Sequence, residues 1–86
     1  MTGPQAVSTL DVRDVRDETV VHDTGSQRIH VLNRSAAAVL RLCDGRHSEE
    51  AIARELVNGD AALLLRARND VVRILGTFAS LQLIEP

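Results

Sequence analysis

An α+β domain, strands first and helices after, is what this sequence predicts, and three observations lead to it. Short runs rich in β-branched residues and bounded by turn residues are confined to the chain up to Leu32. From Asn33 onward, apolar residues recur at helical spacings between capping residues. Trp and Tyr are absent and Phe78 is the single aromatic residue, which leaves the core to Leu, Val, Ile and Ala. Such a core favours a helical or mixed domain over an all-β sandwich. With 86 residues the chain has room for one domain and one modest core.

Residues 1–9 read as a flexible tail, because Gly3, Pro4 and small polar residues show no periodicity and offer little apolar surface; the domain itself is expected over residues 10–86. Leu10, Val12 and Val15 alternate loosely with charges and form one candidate strand, and Thr19-Val20-Val21-His22 a second. Asp23-Thr24-Gly25-Ser26 is turn chemistry, and Arg28-Ile29-His30-Val31-Leu32 after it suits a short strand, which makes a hairpin.

Asn33 then caps a helix over Ser35–Leu42, whose alanines give it high propensity. Asp44-Gly45 ends it, with Gly45 suited to a left-handed turn. Ser48 caps a second helix that opens with Glu49 and Glu50 at its positive end and turns Ala51, Ile52, Leu56 and Val57 inward. Asn58-Gly59-Asp60 breaks the pattern. Asp60–Leu81 reads either as one helix or as two that bend near Asn69-Asp70; its last part, with Val71, Ile74, Leu75, Phe78 and Leu81 on one face, is plainly helical. Two or three antiparallel strands followed by three helices, with a tight turn between the first two helices, is a winged helix-turn-helix arrangement.

Charge and motif content exclude much. The formal net charge is −2, with both signs interspersed, so nothing attracts phosphates strongly and nucleic acid is not the expected partner. No apolar stretch has the length of a membrane span and Met1–Leu10 lacks a secretory signal, so a cytoplasmic protein without membrane contact is expected. Cys43 is alone, and His22, His30 and His47 have no partner at a ligand or acid–base spacing. No nucleophile motif and no phosphate loop is present. The expectation is a protein that is not an enzyme and needs no metal or cofactor. Asp11, Asp14, Asp17, Glu18 and Asp23 are too dispersed for a calcium loop and read as a solvated acidic edge.

The run His30-Val31-Leu32-Asn33-Arg34-Ser35-Ala36-Ala37-Ala38-Val39-Leu40-Arg41-Leu42-Cys43-Asp44-Gly45-Arg46-His47-Ser48 resembles PqqD-like proteins, in which a Leu-Asn pair, a small-residue helix and a Cys-Asp-Gly turn recur. Asp70–Leu75, Phe78 and Leu83-Ile84-Glu85 resemble the end of that family, although Gln82 stands where the family often has Gly. The family recognises precursors in pathways of ribosomally made, post-translationally modified peptides. The resemblance implies that a leader peptide lies as an added strand on Arg28–Leu32, against a groove whose other wall is Asp70–Leu81. It also implies presentation of that leader to a separate modifying enzyme, such as a radical-SAM protein, or to a leader peptidase.

An edge strand suits that role by itself, since its free N–H and C=O groups pair with an extended peptide. The candidate peptide-binding residues are Arg28, Ile29, His30, Val31, Leu32, Asp70, Arg73, Ile74, Thr77 and Leu81. Alternation divides the strand into Ile29 and Val31 against Arg28, His30 and Leu32, and leaves open which set faces the groove. Val71, Leu75 and Phe78 fall on the deepest stripe and read as core. Gly76 suggests close approach of another backbone, from helix-to-strand packing or from a bound peptide. Two alternatives stand beside this reading. A DNA-binding winged-helix regulator has Arg66, Arg68 and Arg73 in its favour, and a small homodimeric interaction domain has the exposed edge strand.

Overall fold

In the computed structural model, which describes residues 3–86, three strands precede three helices: β1 (Leu10–Val15), β2 (Glu18–Asp23), β3 (Arg28–Leu32), α1 (Arg34–Arg41), α2 (Glu49–Leu56) and α3 (Ala61–Ser80). The α+β winged helix-turn-helix expectation holds, with three strands in an antiparallel sheet of order β1-β2-β3. β1 pairs with β2 from Leu10↔Asp23 to Val15↔Glu18, so the loosely patterned segment is a full strand. A two-residue turn joins them, with Arg16 at φ 59°. β2 pairs with β3 from Thr19↔Leu32 to Asp23↔Arg28.

The caps fall where side-chain chemistry puts them. The carboxamide or hydroxyl oxygen of Asn33 and Ser48 accepts from the N–H of Ala36 (2.9 Å) and Ala51 (3.1 Å), and Asp60 accepts from Ala62 (2.9 Å). Residues 61–80 form one helix, because Ala67, Val71, Ile74, Leu75 and Phe78 continue a single buried stripe past Asn69 and Asp70, which are both exposed. Val21, Val39, Ile52, Val71, Phe78 and Leu83 are the most deeply buried side chains and tie the middle strand to all three helices. Cys43 packs among them with its Sγ on the Val39 carbonyl (3.2 Å). Burial, and the charge of Asp44 next to it, push its thiol pKa up to about 11, so it is not a reactive thiolate.

Three expectations are corrected. The start of the expected tail, Met1-Thr2, lies outside the described residues, but the stretch from Gly3 to Val7 is bound down. Gly3 donates to the Gly45 carbonyl (3.0 Å), Ala6 to Cys43 (2.8 Å) and Val7 to Leu83 (3.0 Å), while Gly45 donates to Pro4 (3.0 Å) and Glu85 to Gln5 (2.7 Å). Isolated bridges of this kind need no alternation, which is why composition alone suggested fraying. Gly45 does adopt φ 80°, yet α1 has already ended at the Leu42 cap; the left-handed glycine serves this docking, since a Cβ there would run into the Gln5 side chain. Gly76 is exposed with no atom outside its own helix near its Cβ position, so no backbone approaches it.

Past α3 the chain closes with a Schellman turn: Gln82 donates to the Ala79 carbonyl (3.1 Å) and Leu83 to Phe78 (2.9 Å). The two residues that usually make the apolar contact of this motif, Phe78 and Leu83, are both fully buried. Gln82 sits at φ 60°, where a side chain is strained and glycine is not. Gln82→Gly is therefore expected to stabilise the protein by about 1 kcal/mol, a rise in Tm of about 4–8 °C read by thermal melting.

Candidate functional site

β1 and β3 are the two edges of the sheet, and they differ. β1 carries Asp11, Arg13 and Asp14, charges that discourage pairing with another strand; β3 has no acidic residue, proline or bulge between Arg28 and Leu32. The phase of the ladder decides which groups of β3 are free. The tight turn makes Val15↔Glu18 a hydrogen-bonded pair, and the Thr24 N–H on the Thr9 carbonyl (2.9 Å) shows the same phase at the far end of the hairpin. By alternation Val20 and His22 bond to β1, so their neighbours on β3, Val31 and Ile29, turn N–H and C=O to the open edge. Arg28, His30 and Leu32 bond back to β2 instead.

Side chains follow the same parity. Ile29 and Val31 point to the outer face of the sheet, where they are 65% and 58% exposed, whereas Leu32 is buried and His30 half-buried on the helix side. The set that faces the helices is thus Arg28, His30 and Leu32. Beside this strand the structure is open, since no Cα of β3 comes within 8 Å of a Cα of α3. α1 spans the gap. A cleft of about 250 Å³ lies there, with Leu32 and Asn33 on the strand side, Ser35 and Ala36 of α1 between, and Asp70, Arg73, Ile74, Thr77 and Phe78 of α3 as the far wall. An apolar floor of Leu32, Ile74 and Phe78 under a rim of polar groups, next to an unpaired strand edge, is built to hold an extended chain.

The family model for coenzyme PQQ synthesis protein D (PqqD) matches residues 18–84, which takes in β2, β3 and all three helices. The chain belongs to the PqqD family. Among solved structures, TbiB1 in complex with the TbiA(beta) leader peptide is similar in fold to this PqqD-family protein, with a TM-score of 0.78 over 94% of each chain and 15% sequence identity. No curated protein matches it in sequence. β1, the strand with the loosest pattern, lies outside the residues matched to PqqD.

Of the ten residues expected from the sequence, Leu32, Asp70, Arg73, Ile74 and Thr77 come together around one cleft of this PqqD-family protein. Ile29 and Val31 reach the site through their backbone only. His30 lies on the helix side of the strand with its Nε2 enclosed and without a hydrogen-bond partner, while Arg28 at the strand's start and Leu81 at the cap of α3 do not line the cleft. Asn33, Ser35 and Ala36 were read from the sequence only as cap and helix formers, yet they form its near side. The signal for them was the absence of any linker: a helix that starts one residue after an edge strand sets its first turn at that strand's end. On the far wall Arg73 pairs with Asp70 (3.6 Å), both well exposed, and the Thr77 hydroxyl donates to the Arg73 carbonyl (3.3 Å).

Charges elsewhere are engaged in the fold. Asp23, expected on a solvated edge, is buried; it accepts from the Thr9 hydroxyl (2.6 Å) and from the Gly25 N–H (2.9 Å), contacts that lower its pKa. Arg41 (2.6 Å) and Thr19 (2.8 Å) donate to Asp14 and lower its pKa likewise. His47 has a partner that its spacing did not suggest: its Nδ1 lies 3.0 Å from Asp44, whose pKa falls to about 2 through this bond and the N–H groups of Arg46 and His47. Among the described residues no group of three or more His, Cys, Asp and Glu is placed to hold a metal ion, and no helix is long and apolar enough to cross a membrane.

Proposed function

We propose that this protein holds the leader segment of a ribosomally made precursor peptide as a fourth strand on β3 and presents it, in the cytoplasm, to a separate modifying enzyme. One observation carries this reading: the outward N–H and C=O groups of Ile29 and Val31 run alongside an open, apolar-floored cleft. Membership of the PqqD family supports it, and so does TbiB1, a protein of the same fold whose structure holds a leader peptide.

In this mode backbone bonds to Ile29 and Val31 supply affinity for any extended chain. Alternate peptide side chains enter the cleft against Leu32, Ile74 and Thr77 and supply specificity. Asp70 and Arg73 offer one charge of each sign along the far wall, His30 stands on the groove side of the strand, and Arg28 and Leu81 mark the ends. The role is binding; bond making and breaking belong to the partner, for which a radical-SAM enzyme or a leader peptidase is suited. Duplex DNA fits less well, because α2, the helix a winged-helix reader would insert, opens with exposed Glu49 and Glu50, and its one base, Arg54, lies 3.8 Å from Glu50.

The test is titration calorimetry with a synthetic leader from the short reading frame beside the gene. The expected dissociation constant is sub-micromolar to micromolar, and no heat of binding at several hundred micromolar leader rejects the proposal.

A further inference from the structure

We infer that the peptide groove continues past the strand: the flank of the bound peptide that leaves β3 over Leu32 crosses Ser35 and places one aliphatic side chain in a second cavity between α1, the end of α2 and α3. This rests on the leader-binding reading above and extends its footprint. The second cavity measures about 310 Å³ and is walled by Ala38, Leu56, Val57 and Ala67. Ser35, Asp70 and Ile74 line both it and the cleft beside β3, so the two form one continuous channel over the first turn of α1.

Small side chains make the space. Ala38 on α1 faces Ala67 on α3 across the cavity, where larger residues would close the gap between the helices, and Leu56 and Val57 remain only half-buried beside it. Its walls are apolar, and Arg34 and Asp70 stand exposed at its mouth. A side chain of Leu, Ile or Met type suits such a site and a charged one does not. Direction follows from the sheet, which is antiparallel throughout. A fourth strand that keeps this pattern has its N-terminal end over Leu32, so the residue in question precedes the paired segment of the peptide.

The experiment starts from a display library of random 20-residue peptides selected on the intact protein, with the most enriched sequence then synthesised as the probe. The enriched sequences are expected to share an aliphatic residue at a fixed position N-terminal to the paired segment. Alanine at that position, or Ala38→Phe in the protein, should each weaken binding on the order of tenfold. Because both changes remove the same contact, together they should cost little more than either alone. Val57→Lys, at the rim, gives a second reading should Ala38→Phe fail to fold. Full affinity for the alanine peptide, or for a folded Ala38→Phe or Val57→Lys protein, overturns the inference and leaves the strand-addition reading intact. If no peptide is enriched on the intact protein, strand addition itself fails and this inference falls with it.

Discussion

Val31→Pro is expected to leave the protein folded and to lower leader affinity about tenfold or more. The Val31 N–H faces the open edge, so no bond within the sheet is lost, and proline is tolerated at such an edge position. The residue before it, His30, is already extended, as a residue before proline prefers to be. What the substitution removes is one donor to the incoming peptide, and its ring obstructs the approach of that chain. His30→Pro is the internal contrast: it removes a bond to β2 and should lower the melting temperature. Calorimetry and thermal melting on the two variants separate these effects. A folded Val31→Pro protein that binds leader with undiminished affinity would show that β3 does not receive the peptide through its backbone.

Phe78→Ala should have the largest effect on stability. Phe78 is 1% exposed, lies on the buried stripe of α3, forms part of the cleft floor and accepts the Leu83 N–H at the end of the helix. No other aromatic residue is present to fill the space. Removal of a buried phenyl ring costs about 3–5 kcal/mol, against a total of roughly 4–13 kcal/mol for a chain of this length. A fall in Tm of at least about 12 °C is expected. Urea titration checks it, and a loss below 1 kcal/mol would mean that the core around α3 can collapse onto the gap.

How much of this was readable in the sequence depended on whether a residue's surroundings were local. The β2–β3 hairpin, the caps at Asn33, Ser48 and Asp60 and the buried stripe of Val71, Leu75 and Phe78 were readable because each rests on neighbours within a turn or two. β1 was faint for a physical reason: Val12 and Val15 are 38% and 52% exposed, so no buried face enforces alternation along it. The face of β3 could not be chosen from its own five residues. The tight turn at Arg16-Asp17 sets the phase of β1 against β2, that phase leaves Val20 and His22 bonded to β1, and only then are Ile29 and Val31 the residues with free backbone groups. The near side of the cleft escaped for a similar reason, since Ser35 and Ala36 matter through their position after the strand and not through their chemistry.

The bonds that fasten Gly3–Val7 to the turn at Gly45 and to the last residues of the chain have a further consequence. Ala6 bridges to Ile84, and Glu85 donates to Gln5, so the polypeptide enters and leaves the fold at almost the same point. Only Ile74, Thr77 and their neighbours along α3 separate this seam from the groove, and no residue of the seam lines it. A module with adjoining entry and exit can be spliced into a loop of a larger enzyme, or tethered to it at either end, with little strain on the host and with its peptide groove unobstructed. Tethering would turn the encounter of leader and catalyst into an intramolecular one, at the millimolar effective concentrations that short flexible linkers give.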